Sequence, residues 1–246
     1  MQGFLSNFRT SIFDKLGTIL GAGCVCCGGN GEADGFCAGC RADLPWLEAA
    51  QCAQCAHPLS AAGLCGRCLA DPPRFDRVYA ACRYAPPLDG LIQRAKYGGR
   101  LHLLRSLAAL LAHRAPAEAD LIVPMPLSAA RLRERGFNQA LQLAQLAASS
   151  MNIKARIDTA ACIKVRDTAP QSRLPWQQRR RNIRGAFVTL ADLRGRHVLV
   201  VDDVLTTGTT MSELAGSLKK AGAASVSGWV VARTVAGNSV AGKNRP

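Results

Sequence analysis

Val198-Leu199-Val200-Val201-Asp202-Asp203-Val204-Leu205-Thr206-Thr207-Gly208-Thr209-Thr210 decides how this 246-residue chain is read. Four apolar residues, Val198 to Val201, predict a buried parallel strand with two carboxylates emerging at its end. The Thr/Gly turn that follows opens onto a helix expected over residues 212–221. Such a turn presents consecutive backbone amides at a helix N-terminus, and Gly208 permits close approach. The hydroxyls of Thr206, Thr207, Thr209 and Thr210 add donors, so the turn suits a phosphate monoester. It is not a Walker loop, since it lacks the longer glycine spacing and the lysine. Asp202 and Asp203 follow a separate logic, because carboxylates beside a bound sugar phosphate accept hydrogen bonds from vicinal ribose hydroxyls. A ribose 5-phosphate fits both halves. The plainer alternative is a helix cap from Thr207 or Thr209 with the acids in a solvated turn.

Outward from this stretch, strands alternate with helices. Strands are expected at 75–84, 121–123, 156–163 and 226–233; helices are expected at 88–112, broken at Gly98-Gly99, and at 131–149. Residues 177–184 read as a basic turn or helix. The alternation implies an α/β fold, a parallel sheet with helices on both faces, and ligands in such sheets bind beyond the carboxyl ends of the strands. The stretch from Arg131 to Gln139 follows a strand end, so Arg131, Arg133 and Arg135 could reach the same crevice, where a pyrophosphate would suit them. Arginines on a helix face are otherwise solvated.

The chain carries 31 basic and 17 acidic residues, a formal +14. Residues 94–196 hold 19 of the basic and 6 of the acidic ones, so nearly all the surplus lies in the α/β region. The partners implied are anionic: phosphorylated metabolites, nucleic acid or an acidic surface. Arg173, Arg179, Arg180, Arg181 and Arg184, with Trp176 as a stacking platform, would suit single-stranded DNA. A basic solvated face around a core tryptophan accounts for the same residues. An aromatic content of 5% argues against a dedicated single-strand binder. With 48% hydrophobic and 20% charged residues, disorder, collagen and a membrane span are excluded.

Eight of the eleven cysteines form a repeat: Cys24-x2-Cys27 and Cys37-x2-Cys40, then Cys52-x2-Cys55 and Cys65-x2-Cys68, with nine residues inside each half. Each CxxC turn aims two thiolates at one ion, and tetrahedral zinc needs two such turns, so eight cysteines suffice for two closed structural sites. Either neighbouring pairs share an ion or the pairs interleave in a cross-brace; neighbours are preferred. The region has few large apolar residues and depends on metal to fold. His57 is expected in an exposed loop, and Cys26, Cys82 and Cys162 are left over. With no secretory signal ahead of this metal-type cysteine pattern, a reducing compartment, the cytoplasm, is expected. Leu5, Phe8, Ile12, Leu16 and Ile19 recur at helical spacing, interrupted by Arg9, Asp14 and Lys15, so residues 1–22 read as an amphipathic helix. The organisation expected is that helix, a zinc domain over 23–72 ending at Asp71-Pro72-Pro73, an α/β domain over 73–235, and a loose tail, 236–246.

Residues Val198 to Thr210 resemble the signature of type I phosphoribosyltransferases, which bind 5-phosphoribosyl 1-pyrophosphate (PRPP). The wider chain resembles the ComF family, bacterial proteins associated with competence and DNA uptake that join CxxC pairs to a phosphoribosyltransferase-like domain. The resemblance runs through 84–88, Lys96-Tyr97-Gly98, 123–127, the Arg131 to Gln139 stretch, and Thr168, Gln171, Arg180, Asn182 and 185–187. It implies that Asp202 and Asp203 bind the ribose hydroxyls and Thr206 to Thr210 the 5-phosphate. It also implies that the loop with Arg131, Arg133 and Arg135 contacts pyrophosphate, with magnesium bridging pyrophosphate and ribose. Residues 164–184 match the position of a hood over the ligand. Two functions follow: phosphoribosyl transfer to an acceptor that the sequence does not name, or a non-catalytic, PRPP-responsive role in handling single-stranded DNA with competence proteins. Glutamine-dependent amidotransfer by this chain alone is not expected, since it reads without an N-terminal nucleophilic cysteine or a glutaminase domain.

Overall fold

The computed structural model describes residues 23–47, 50–96, 101–116, 118–166 and 183–235. The helix expected over 1–22, the tail 236–246, and Arg173, Trp176, Arg179, Arg180 and Arg181 lie outside them. Two five-residue helices, α1 (Ala38–Ala42) and α2 (Gly66–Ala70), each start at the third cysteine of a four-cysteine group, with Cys37 and Cys65 as N-caps. Then follow β1 (Arg77–Arg83), α3 (Leu88–Lys96), α4 (Leu101–Ala112), β2 (Leu121–Pro124), α5 (Ala129–Arg135) and α6 (Gln139–Ser150). The chain continues through β3 (Arg156–Ile157), β4 (Cys162–Lys164), β5 (Phe187–Thr189), β6 (His197–Leu205), α7 (Thr209–Lys220) and β7 (Ser225–Arg233). Five strands form one parallel sheet in the order β1-β7-β6-β2-β3. Helices cover both faces, as the expected alternation requires.

Three details differ from the expectation. The helix expected over 131–149 is two helices, because Gly136 takes a left-handed φ of 75° and ends α5, after which Asn138 caps α6 by accepting from the Leu141 amide. The strand expected over 156–163 is cut by Asp158, whose Oδ1 accepts from the Ala160 and Ala161 amides at 2.8 and 2.9 Å and turns the chain. Only Arg156–Ile157 joins the main sheet; Cys162–Lys164 pairs antiparallel with Phe187–Thr189, a strand the periodicity did not mark. Finally, β6 does not stop at Val201. It continues through both acids to Leu205, because β7 offers a full ladder in which Asp202 faces Val230 and Val204 faces Ala232.

The core has two layers. Leu199 and Val201 pack with α3, α4 and α6, whereas Val198 and Val200 pack with Met211, Leu214 and Leu218 of α7, the alternation of a strand buried on both faces. Trp229 is fully buried and donates its indole N–H to the Leu111 carbonyl at 2.9 Å. The cysteine modules share these cores. Phe36 and Leu44 belong to the α3/α4/α6 layer, while Leu47, Cys52, Cys55, Cys65 and Cys68 belong to the α7 layer. The stretch joining the modules runs along the edge strand β1. There the Leu47 amide donates to the Ala81 carbonyl at 3.0 Å and the Arg83 amide to the Pro45 carbonyl at 2.7 Å, covering an edge that would otherwise expose unpaired backbone groups. Among the described residues, no helix is long and apolar enough to cross a membrane.

Candidate functional site

The carboxyl ends of β6 and β2 meet where the Met125 amide donates to the Val201 carbonyl at 2.8 Å. Just beyond lie the acids. Asp203 is buried at 9% exposure and Asp202 is half-buried, with Asp202 Oδ1 accepting from the Asp203 amide at 2.9 Å. Lys96, at the end of α3, places its Nζ 2.8 Å from Asp203 Oδ2. Burial, and then the charge of Asp203, push the Asp202 carboxyl up to about 8, while the Asp203 amide and Lys96 pull the other way. Burial also acts to lower the Lys96 ammonium, but the charges of Asp203 and Asp202 outweigh it and hold Lys96 above its usual range. The pair therefore presents one ion-paired carboxylate beside one carboxyl biased toward its neutral form.

The turn after Leu205 has the expected architecture. Thr206 is exposed, and Thr207, Gly208, Thr209 and Thr210 are half-buried. Gly208 has φ 77° and caps α7 without any side-chain hydrogen bond. A β-carbon there would meet the Phe75 ring at 3.5 Å and Leu205 Cδ1 at 3.9 Å, ordinary contacts, so the left-handed backbone, not lack of space, calls for glycine. The Thr207 and Thr209 hydroxyls lie 2.9 Å apart and lend the turn its shape. Thr207 Oγ1 accepts from the Thr209 amide at 3.4 Å, while the N-cap Gly208 carries no side chain, so this twelve-residue helix keeps its positive end for an anion.

Arg131, Arg133 and Arg135 all lie on α5, which follows β2 at the same end of the sheet. Arg131 and Arg135 are half-buried and Arg133 is exposed, and among the described residues none is in an ion pair. Among the described residues, no hydrogen bond or ion pair joins them to the acids. Arg184 is exposed, its carbonyl accepting from Arg166 Nη1 at 2.9 Å. Four other residues gather here that the motifs did not single out as ligands. Lys96 pairs with Asp203. Gln139, 4% exposed at the start of α6, has both amide atoms without a partner among the described residues. Arg67 and Arg233 reach the turn from the cysteine side. Lys96 and Gln139 lie in stretches that carry the family resemblance, but side chains brought here by tertiary packing show no periodicity that assigns them to the site.

The eight cysteines resolve into neighbouring groups: Cys24, Cys27, Cys37 and Cys40, and Cys52, Cys55, Cys65 and Cys68, each with its sulfurs within 4.8 Å of one another. Cys27 and Cys37 Sγ are 3.8 Å apart and Cys55 and Cys65 Sγ 3.7 Å apart. A tetrahedron with metal–sulfur bonds of about 2.3 Å has edges of about 3.8 Å, so both groups fit zinc. Amides support the thiolates: Cys40 N donates to Cys37 Sγ at 3.5 Å and Cys65 N to Cys52 Sγ at 3.3 Å. Burial opposes ionisation of Cys24 and Cys52, but amides of Cys27, Cys37 and Cys26 for the first, and of Cys55, Cys65 and Gln54 for the second, bring each down to about 6. His57 is half-buried rather than exposed and belongs to neither sulfur group; burial and the charges of Arg233 and Arg67 lower its pKa. With four sulfurs each, the sites have no open position and serve the fold.

Residues 16–69 match the model of the double zinc ribbon domain, and residues 138–241 that of the phosphoribosyl transferase domain. DNA utilization protein YhgH of Escherichia coli K12 is 37% identical over 172 residues, covering 67% of this chain and 75% of its own. Competence protein F of Haemophilus influenzae Rd is 33% identical over 173 residues, covering 65% of this chain and 74% of its own.

Proposed function

The chain belongs to the ComF family, and from that premise we propose that it binds PRPP with magnesium and transfers the phosphoribosyl group to an acceptor, releasing pyrophosphate. The observation that carries the reading is the junction of an acid pair with a glycine-capped helix start, at the carboxyl end of a central parallel strand. Asp202 and Asp203 would accept hydrogen bonds from the two ribose hydroxyls. Thr206 to Thr210 would enclose the 5-phosphate through amides and hydroxyls. Arg131, Arg133 and Arg135, at the next strand end, would face the pyrophosphate, where magnesium neutralises charge. Lys96 would leave Asp203 as the sugar arrives and turn toward the departing anion. Positioning and charge neutralisation then carry the rate, with no side chain acting as nucleophile or base. The zinc domain, 23–72, and the α/β domain, 73–235, would form one unit in the cytoplasm.

The test is pyrophosphate release from magnesium and PRPP by the zinc-loaded protein, with pooled metabolites and single-stranded DNA offered as acceptors. Release that depends on both acids and on one fraction of the pool supports transfer. A second reading, favoured by the name DNA utilization protein of a relative and by the charge surplus over residues 94–196, is a non-catalytic protein that handles single-stranded DNA in response to PRPP. PRPP binding without release, together with salt-dependent DNA binding, would select it.

A further inference from the structure

The second cysteine module touches the turn after β6 through two arginines. Arg233, the last residue of β7, is 4% exposed. Its Nε donates to the Cys55 carbonyl at 2.9 Å and its Nη2 lies 4.0 Å from Cys55 Sγ, a member of the second four-sulfur group. The same guanidinium, through Nη1, donates to the carbonyls of Leu205 at 3.2 Å, Thr206 and Thr234. Arg67 sits in α2, between the two cysteines Cys65 and Cys68, and donates through Nη2 to the Thr207 carbonyl. Three successive carbonyls, those of Leu205, Thr206 and Thr207, thus point at guanidinium groups anchored on the second zinc site.

That arrangement fixes the other side of the turn. In a trans peptide the C=O of one residue and the N–H of the next point in opposite directions. Holding the carbonyls of residues 205, 206 and 207 toward the arginines therefore turns the amides of Thr206, Thr207 and Gly208 away from them. Among the described residues these three amides have no acceptor. They are the groups a phosphate would use, and α7 adds its positive end beside them. A cavity of about 550 Å³, lined by Cys55, Arg67, Cys68, Thr207, Gly208 and Arg233 among others, lies between the module and the turn. Beside the apolar core that the module shares with the α7 layer, the two arginines carry the polar contact to the turn.

We infer that Arg67 and Arg233 are positioning residues that couple zinc at Cys52, Cys55, Cys65 and Cys68 to anion binding at the Thr206–Gly208 amides. The first zinc site, packed on the opposite face, takes no part. The inference rests on the reading of this turn as a phosphate site and assigns the second zinc module a role in shaping it. Coupling of this kind is reciprocal: if the ion preorganises the turn, a bound anion must retain the ion by the same factor.

The experiment is zinc release from the full zinc-loaded chain into a chromogenic chelator, alone, with magnesium and PRPP, and with millimolar inorganic phosphate, beside calorimetry of PRPP binding. PRPP is expected to slow one of the two ions by about tenfold, within the usual range of coupling between sites, and to leave the other unchanged. Arg67→Met is expected to retain both ions and to abolish the slowing, with Arg67→Lys restoring part of it through its single cation. Arg233→Lys is the second variant, keeping the buried charge but losing the fork that spans Cys55 and the turn, and should also lose the slowing. PRPP binding by calorimetry with neither ion slowed, or with both slowed equally in wild type and Arg67→Met, overturns the coupling while sparing the PRPP site. Slowing by phosphate but not by PRPP supports the coupling and overturns the choice of PRPP. Release unaffected by either anion, with no heat of binding, overturns both.

Discussion

Asparagine placed at Asp202 and at Asp203, one residue apart and nearly isosteric, should have opposite effects on stability. Asp203 is ion-paired with Lys96 at 2.8 Å, with side chains 12% and 24% exposed. Removing one partner of a buried pair strands the other charge at a cost of about 3–5 kcal/mol, and the residual exposure of Lys96 reduces that to about 2 kcal/mol. In a chain of this size that lowers the melting temperature by roughly 4–8 °C. Asp202 is different, because its carboxyl titrates near 8 in the folded chain against 3.8 as a free side chain. The folded state holds a proton that the unfolded state has lost, so stability falls as pH rises from about 4 to about 8. Asparagine cannot titrate in either state and mimics the protonated form, so Asp202→Asn should match wild type only below about pH 4, exceed it at pH 6.5 and exceed it by more at pH 8.5. Each tenfold difference in proton affinity between the folded and unfolded chain contributes about 1.4 kcal/mol. The assay is thermal melting of zinc-loaded protein at pH 6.5, 7.5 and 8.5, with PRPP binding by calorimetry alongside. Asp203→Asn should bind PRPP roughly 10- to 150-fold more weakly, the loss of one hydrogen bond to a charged acceptor, and Asp202→Asn should lose less, because its carboxyl is already biased toward the neutral form. Asp203→Asn melting at or above wild type, or Asp202→Asn melting below Asp203→Asn at pH 8.5, would refute the assigned ion pairing.

Native mass spectrometry should find two zinc ions in wild type and one when Cys24, Cys27, Cys37 and Cys40 are all changed to serine, because these four form one site; a cross-brace, in which they would serve both sites, would lose both. Gly35 has φ 82° and an added β-carbon would lie 2.2 Å from Ser106 Oγ on α4, so Gly35→Ala should lower stability by about 1–3 kcal/mol, read as a lower denaturant midpoint with both ions retained. If single-stranded DNA is a partner, Arg179, Arg180 and Arg181 changed together to alanine should flatten the log–log salt slope of binding by about 2, since each phosphate contact on a single strand contributes about 0.7. An unchanged slope would remove these arginines from the interface.

The sheet was legible wherever one periodicity dominated. Val198 to Val201 and Leu121 to Val123 are apolar without interruption and form buried parallel strands, and Cys24 to Cys68 repeats at a spacing that matches two four-sulfur groups. Elements set by a neighbour rather than by their own residues were not legible. Phe187–Thr189 is a strand only because Cys162–Lys164 offers its edge, and β6 outruns its apolar residues because β7 continues the ladder past Asp202. The same distinction divides the site. Asp202, Asp203 and the Thr206 to Thr210 turn lie together in sequence, so their chemistry could be read from their order. Lys96 approaches from another helix, and Arg67 and Arg233 from 140 residues upstream and 27 downstream of the carbonyls they hold. A buried arginine that satisfies four carbonyls has no sequence pattern of its own; its position follows from where the chain returns. What the motif cannot disclose is therefore the backing of the turn, which Arg67 of the second cysteine module and Arg233 of β7, itself held on the Cys55 carbonyl, supply together. The amides of the Thr206–Gly208 turn are oriented by contacts on its far side, so the two halves of this chain, which look separable as text, share one structural dependency.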